Sequence, residues 1–236
     1  PSTPMEGGSP HSILSEAGLA TVFEDVSRFG HEIVRIGDLE VSVSGISYDK
    51  RLSPGMDPLE GLEIPGGGDL NIAMLHYTIQ GVAPSFMVEP FIRAESIRRN
   101  QHIDLFAMGH PHNRVEAKIG RSYIKYPGAT ERMDFGEWRN ETGFLWIEMD
   151  KERVESRYIR THSQPMKRIN IHTSSLDREK VTGQLINLVE ENSDPEGLLQ
   201  LVLEGEMDLA DYMEIDFAKI TRVGERRNFY LSLIHI

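Results

Sequence analysis

The sequence contains no cysteine among its 236 residues. This absence excludes disulfide bonds, thiolate-bound zinc and a cysteine nucleophile. A chain without cysteine is compatible with a reducing compartment, and we expect a cytoplasmic protein.

Long apolar runs are also missing. No stretch approaches the roughly 20 apolar residues that a membrane-spanning helix requires. No basic segment followed by an apolar core begins the chain, so no secretory signal is visible. Hydrophobic residues make up 39% and charged residues 26%, which is typical of a globular protein. The length allows one large domain, or a medium domain with a small one.

Basic residues are too few for a protein that coats nucleic acid. The chain has 25 Lys and Arg against 37 Asp and Glu, for a net charge of −12. This balance does not exclude an enzyme that acts on nucleic acid, because metal ions and local arginines can hold phosphate on an otherwise acidic surface.

Both ends of the sequence are unusual. Residues 1–8 read as a loop that begins without an initiator methionine. Residues 231–236 resemble the translation of a common sequencing adapter, and we predict that they are a non-native tail. We therefore expect the chain to be a fragment.

Alternating apolar patterns and turn residues predict mainly strands up to about residue 172. The predicted elements are a hairpin at 31–44 around Gly37-Asp38 with a type II′ order, strands at 19–23, 70–79, 103–108, 115–118, 122–126 and 168–172, a helix at 94–101 and a hairpin at 143–159. Residues 49–69, rich in proline and glycine, are predicted to be a long loop, and 84–90 a second loop.

The pattern becomes helical from Ser175, a plausible N-cap. Helices are expected at 176–191 and 209–220, with a strand at 198–203 and a last one from 228. We predict an α/β fold (α+β by some schemes), with residues 1–174 as one domain and residues 175–230 as a small α+β cap-like domain.

Histidines lie at or near the ends of two of the predicted strands. His76 lies near the end of one, and the next ends in Gly109-His110-Pro111-His112. If the chain stays extended after Gly109, the rings of His110 and His112 project to the same side. Neutral imidazoles held together at a strand end suit divalent transition metals. The alternative is that all three are loop or core histidines without a ligand. The remaining histidines have no spacing partners, and we expect them to be surface or core residues.

Three segments, taken in order, resemble a known family. They are the strand ending in His76, the Gly109–His112 motif, and Tyr126-Pro127-Gly128-Ala129-Thr130-Glu131-Arg132-Met133-Asp134-Phe135-Gly136. Together they resemble the calcineurin-like metallophosphoesterases, and within them the SbcD-type DNA-repair nuclease subunits. The segment Glu89-Pro90-Phe91-Ile92 also fits the pattern of that family. The resemblance covers approximately residues 1–175.

The resemblance implies a β-sandwich flanked by helices and a site for two divalent metal ions, usually Mn²⁺. His76 and His110 would bind one metal and His112 the other. Two cations of this kind can bind a phosphodiester, lower the pKa of a water molecule and stabilise the leaving oxygen. The implied partners are DNA, an SbcC-type ATPase and a second copy of the full-length parent. Arg114 and Arg132 are candidates for contacting phosphate, whereas Tyr126, Phe135 and Trp138 are expected to pack rather than to stack on a base.

The first-half motifs of that family, Asp-x-His and Gly-Asn-His-Asp, do not occur in this sequence. The resemblance places the metal-binding carboxylates and the catalytic histidine of the family in those motifs, and it aligns Thr3-Pro4 with the residues that follow the second one. We therefore expect the chain to lack its N-terminal part, to bind metal weakly and to be inactive alone. Two other hypotheses are open: a phosphoesterase for small phosphodiesters or phosphoproteins, and a catalytically dead scaffold that binds a partner.

Overall fold

The computed structural model describes residues 10–83 and 89–236. The loops predicted at 1–8 and, within 84–90, at 84–88 lie outside these ranges. The chain is mixed α/β and divides into two compact units. The first comprises the described residues up to Ala129 together with Gly143–Ile159, and the second comprises Thr130–Thr142 and Arg160–Ile236.

Strands predominate in the described part of the first unit. In chain order its elements are α1 (Pro10–Glu16), β1 (Gly30–Ile36), β2 (Leu39–Gly45), β3 (Leu70–Leu75), β4 (Thr78–Ile79), β5 (Phe91–Ile92), α2 (Ala94–Arg99), β6 (Leu105–Met108), β7 (Val115–Ile119), β8 (Ser122–Tyr126), β9 (Gly143–Met149) and β10 (Val154–Arg160).

Six of these strands form the main sheet, in the order β1-β2-β3-β6-β8-β7. The four central strands are parallel to one another, and the edge strands β1 and β7 are antiparallel to their neighbours. Strands β4 and β5 form one separate pair, and β9 and β10 another. The carboxyl ends of β3, β6 and β8 therefore meet at one edge of the sheet.

The predicted hairpin between β1 and β2 is confirmed. Ile36 pairs with Leu39, which leaves Gly37 and Asp38 as a two-residue turn with φ of +61° at Gly37. A positive φ at the first turn residue fits the Gly-Asp order. The strand predicted at 19–23 is wrong, because this segment does not pair with the sheet. Instead, the ring of Phe23 packs against the sheet where Gly30 and Gly45 leave room for it.

The apolar core of the first unit lies on one face of the main sheet. Central strands contribute alternate side chains to it, as a strand with a period of two requires. The buried core side chains from β3, β6 and β8 are Ala73, Leu75, Phe106, Met108, Ile124 and Tyr126. Ile97 of α2 and Leu59 and Ile64 of the loop at 49–69 also belong to this core, so the loop is a packed structural element.

The second unit is a parallel sheet with helices. Its elements are β11 (Met166–His172), α3 (Val181–Glu191), β12 (Leu198–Glu204), α4 (Leu209–Met213), α5 (Phe217–Arg227) and β13 (Tyr230–His235). Strand β12 lies between the other two and is parallel to both. Its buried leucines form a second core with apolar residues of α3 and α5.

The observed division of the chain differs from the expected boundary between residues 174 and 175. Strand β11 belongs to the second unit, because Met166–His172 pairs along its whole length with Leu198–Glu204. At the other end, residues 231–235 of the predicted tail pair with β12 as most of β13. The pairing shows the conformation of residues 231–235, and whether they are a non-native tail stays a prediction.

Two helix predictions require correction. The helix predicted at 209–220 is two helices, α4 and α5, and Asp216 caps α5 by accepting a hydrogen bond from the Lys219 N–H at 2.8 Å. The predicted N-cap Ser175 does not begin α3. A short 3₁₀ turn capped by Asp177 precedes the helix, which starts at Val181. Within the described ranges, no helix combines the length and apolar character needed to cross a membrane.

Candidate histidine site at the strand ends

The three segments that carry the resemblance follow three neighbouring parallel strands. His76 comes directly after β3, Gly109 and His110 after β6, and Pro127-Gly128 after β8. Because the carboxyl ends of parallel strands meet at one sheet edge, His76, His110 and Pro127 become neighbours, although 34 and 17 positions separate them in sequence.

Gly109 allows β3 and β6 to end close together. Its N–H donates to the Leu75 carbonyl at 2.8 Å. A Cβ at this position would lie 2.6 Å from Nδ1 of His76, closer than atoms in contact normally approach. The absence of a side chain at Gly109 therefore leaves room for the His76 ring. The rings of His76 and His110 lie at a centroid distance of 5.3 Å and an interplanar angle of 72°.

His110 has an unusual backbone conformation. Its φ is +93°, and it is the single non-glycine residue with a positive φ in the part of the chain that the structure describes. Such a conformation costs about 1–3 kcal/mol and persists only where the surroundings hold it. Two neighbours hold the His110 ring: Tyr48 stacks on it at 5.8 Å and 16°, and Oε2 of Glu89 lies 2.7 Å from Nε2.

His112 is exposed, and its backbone is bound by the segment that follows β8. The Ala129 N–H donates to the His112 carbonyl at 3.1 Å. Gly128 has φ of +83°, and a Cβ there would lie 2.9 Å from the same carbonyl oxygen. A residue other than glycine at 128 would thus be strained and crowded against His112.

The other two histidines contribute to the electrostatic environment of His76. Partial burial lowers the pKa of His76 below its ordinary value, and positive charge on His110 and His112 lowers it further. These effects favour a neutral His76, the form that accepts a hydrogen bond or binds a metal.

The predicted metal ligands do not form a complete metal centre. His76, His110 and His112 reach the same edge, but among the residues with described positions no three His, Asp or Glu side chains are arranged to hold a metal ion. Oε2 of Glu89 already lies within hydrogen-bonding distance of Nε2 of His110. The residues present therefore do not fit a metal ion without further ligands.

The two candidate phosphate contacts lie in different units. In the first unit, the Arg114 guanidinium stacks over the Tyr158 ring at 4.5 Å. In the second, Arg132 donates to Asn140 O at 3.2 Å, Ser163 Oγ at 3.1 Å and Gln164 O at 3.2 Å. The guanidinium of Arg132, which was predicted to contact phosphate, thus forms hydrogen bonds within the second unit instead.

The predicted aromatic residues differ in environment. Tyr126 is fully buried, and its hydroxyl donates to the Tyr77 carbonyl at 3.0 Å. Burial raises the pKa of this hydroxyl well above its ordinary value. Phe135 and Trp138 are half-buried, and the Arg139 guanidinium lies over the Trp138 ring at 4.4 Å. Tyr126 is therefore a core residue, as expected.

Tyr48 and Glu89 also contact the histidines of the site, although no sequence pattern assigned a role to either residue. Tyr48 contacts both His76 and His110, and Glu89 contacts His110. Neither lies at a regular spacing from a histidine. The one available signal was the position of Glu89 at the start of the Glu-Pro-Phe-Ile segment.

A groove of about 750 Å³ opens beside the site. Tyr48, His76 and Gly109 line one part of it, while Met74 and Lys125 line the rest together with other, mostly apolar residues. The groove shows that one side of His76 is accessible from solvent.

Comparison with known proteins adds no relative. No protein-family model matches the chain, and no similar sequence was found among the curated proteins.

Proposed function

We propose that this chain is part of a calcineurin-like metallophosphoesterase of the SbcD type, a metal-dependent nuclease that hydrolyses phosphodiester bonds in DNA repair or recombination. One observation carries the proposal: the three segments of the resemblance follow adjacent parallel strands, and the middle segment contacts each of the other two. Gly109 lies against His76, and Gly128 lies against His112, with no room for a Cβ at either glycine.

The arrangement of the first unit supports a β-sandwich of this type. The β9–β10 pair approaches the face of the main sheet opposite the apolar core, since Ser156 of β10 lies 3.0 Å from Nζ of Lys125 on β8. Lys151, in the turn after β9, reaches Asp69 at 2.6 Å. A second layer on the sheet is what the proposed fold requires.

In this proposal His76, His110 and His112 are the histidine ligands of a site for two divalent ions, and Mn²⁺ is the expected metal. The carboxylates, the asparagine and the catalytic histidine of such a site belong to motifs that do not occur in these 236 residues. The chain's own contribution is to place three imidazoles at one sheet edge, with His76 neutral and accessible.

The proposed partners are DNA and an SbcC-type ATPase, with the parent acting as a homodimer in the cytoplasm. In this assignment the second unit is the cap-like part of the protein.

The test compares the 236-residue chain with a parent polypeptide that also contains Asp-x-His and Gly-Asn-His-Asp. With Mn²⁺ and linear duplex DNA, we expect cleavage by the parent and none by the chain alone. Strong Mn²⁺-dependent cleavage by the chain alone would contradict the assignment. Cleavage of a nitrophenyl phosphodiester without action on DNA would indicate a small-molecule phosphoesterase instead.

One observation favours a second candidate, a non-catalytic scaffold. It is the lack of a three-ligand group among the described residues. A complete parent gene without the two first-half motifs would support the scaffold, and their presence would support the enzyme.

A further inference from the structure

Strand β1 forms one edge of the main sheet, and it exposes apolar side chains on both faces. Its residues Gly30–Ile36 pair along their whole length with β2, while no strand in the part of the chain that the structure describes pairs with the other side of β1. Ile33 is 48% exposed, and Val34 and Ile36, on the opposite face, are 40% and 62% exposed. The strand therefore combines an unpaired backbone with exposed apolar side chains.

The hairpin turn determines which backbone groups of β1 face outward. In a two-residue hairpin the pair next to the turn, here Ile36 and Leu39, exchanges both hydrogen bonds, and such pairs alternate with unbonded ones along the ladder. The N–H and C=O groups of His31, Ile33 and Arg35 are therefore directed away from β2. They form a row of donors and acceptors with which a further strand can pair.

The side chains of His31 and Arg35 do not shield this edge, because both are bound to β2. Nη2 of Arg35 lies 2.7 Å from Oε1 of Glu40, and Nε2 of His31 lies 2.9 Å from Oγ of Ser42. Edge strands are commonly shielded by charges, proline or a bulge. Strand β1 contains no proline, and its continuous register with β2 leaves no bulge.

The opposite edge of the main sheet, β7, is different. Its apolar residues Val115, Ala117 and Ile119 pack against the core, and the charged residues Glu116 and Lys118 alternate with them. This pattern is typical of a shielded edge. Of the two edges of the main sheet, only β1 exposes large apolar side chains.

Charge and symmetry favour a second copy of this chain as the partner of β1. The strand carries one acidic residue, Glu32, and one basic residue, Arg35, so its formal charge is zero although the chain carries −12. Two acidic chains can therefore meet along an uncharged strip, while salt screens the more distant charges. A two-fold axis perpendicular to the sheet makes the two strands antiparallel, and the outward donors of each copy then face the outward acceptors of the other.

We propose that β1 pairs antiparallel with β1 of a second copy, so that the two main sheets form one continuous sheet across a dimer. Such an interface uses the same surface in both copies and closes at two. Ile33 and Val34 lie near the two-fold axis, and apolar side chains of the two copies cover one another on both faces. The inference goes beyond the proposed nuclease function and can be tested without metal or DNA, so either can fail without the other.

The experiment measures the mass of the full chain by sedimentation equilibrium over a range of concentrations. We expect a dimer that dissociates on dilution. Ile33→Pro removes an outward N–H without removing a hydrogen bond to β2, and it should weaken the dimer roughly 10- to 100-fold because two symmetric hydrogen bonds are lost. Ile33→Lys, which keeps the N–H but places two like charges near the axis, should also weaken it. Met133→Lys, at an exposed apolar residue of the second unit, is the matched control and should leave the dimer unchanged.

A monomer at every concentration of the unmodified chain would overturn the proposal. So would a dimer that survives both Ile33 variants while circular dichroism shows that they are folded, because the interface would then lie elsewhere.

A distance between the two hairpin turns tests the orientation of the strands. The chain has no cysteine, so Asp38→Cys introduces a single site for a spin label at the exposed turn. We expect roughly 25–35 Å between the labels of the dimer by pulsed electron resonance, because the turns lie at opposite ends of the paired strands. A distance that places the two turns side by side would contradict antiparallel pairing.

Discussion

Replacing Asp57 by alanine tests how the loop at 49–69 is joined to the core of the first unit. Asp57 is 5% exposed, and its carboxylate accepts three hydrogen bonds. Oδ1 accepts from the Leu59 N–H at 2.9 Å, while Oδ2 accepts from the Arg93 N–H at 3.0 Å and the Ser96 hydroxyl at 2.7 Å. One carboxylate thus connects the loop to the first turn of α2.

The expected loss follows from the donors that remain unpaired. A buried donor without a partner costs roughly 1–3 kcal/mol. Leu59 and Ser96 are each 1% exposed, whereas Arg93 is an exposed residue. Counting the two buried donors, we expect Asp57→Ala to lower the free energy of unfolding by about 3 kcal/mol, measured by urea denaturation with circular dichroism.

A double-mutant cycle separates this explanation from a general packing defect. Ser96→Ala removes one of the donors that Asp57→Ala leaves unpaired, so the double variant should lose less stability than the sum of the single ones, by about 1 kcal/mol. Glu63→Ala, in the same loop but exposed, should change stability by less than about 0.5 kcal/mol. Additive losses, or a loss below about 1 kcal/mol in Asp57→Ala, would refute the reasoning.

Three further predictions concern the site, an ion pair and a helix end. Gly109→Ala should displace the His76 ring and shift its NMR signals, with little loss of thermal stability because a side chain and not backbone must move. Burial raises the pKa of Glu116, but hydrogen bonds, chiefly from Lys125 at 2.5 Å, outweigh it and lower the pKa. Its stabilising effect is therefore complete above the unfolded pKa of about 4.3, and the difference in Tm between the wild-type chain and Glu116→Gln should shrink as the pH falls below that value. Asp216→Ala should cost roughly 1 kcal/mol in urea denaturation by removing the cap of α5.

Each of these has a contradicting outcome. Unchanged His76 signals in Gly109→Ala would mean that the ring does not lie against residue 109. A Tm difference for Glu116→Gln that grows toward low pH would reverse the sign of the Glu116 effect. For α5, the exposed Glu225→Ala on the same helix is the control, and an equal loss in both variants would remove the capping explanation.

Local patterns predicted much of the fold. The β1–β2 hairpin follows from alternating residues around Gly37-Asp38, whose two-residue turn fixes the register. The long helix expected at 209–220 was divided because Asp216 forms a cap in its middle, which an apolar stripe alone does not reveal. The predicted boundary separates strand β11 from its partner β12, because the two are 32 positions apart and pairing at that distance leaves no local signal.

At the candidate site too, local sequence patterns predicted positions along the chain but not contacts between distant segments. The sequence indicated His76 and His110 through their positions at strand ends, and the parallel order of β3 and β6 brings them together. Tyr48 and Glu89 were not assigned to the site because their contacts with His110 depend on how separate loops pack. The positive φ of His110 was equally hidden, since this conformation is rare for residues other than glycine.

The central claim, that the strand-end histidines belong to a phosphodiester-cleaving metal centre, is tested most directly by Mn²⁺-dependent degradation of linear duplex DNA by the parent polypeptide and its histidine variants. We expect His76→Asn, His110→Asn and His112→Asn each to abolish cleavage. His162→Asn, in the second unit, should retain it. Full activity in the three strand-end variants, or no activity in a parent that contains both first-half motifs, would contradict the claim.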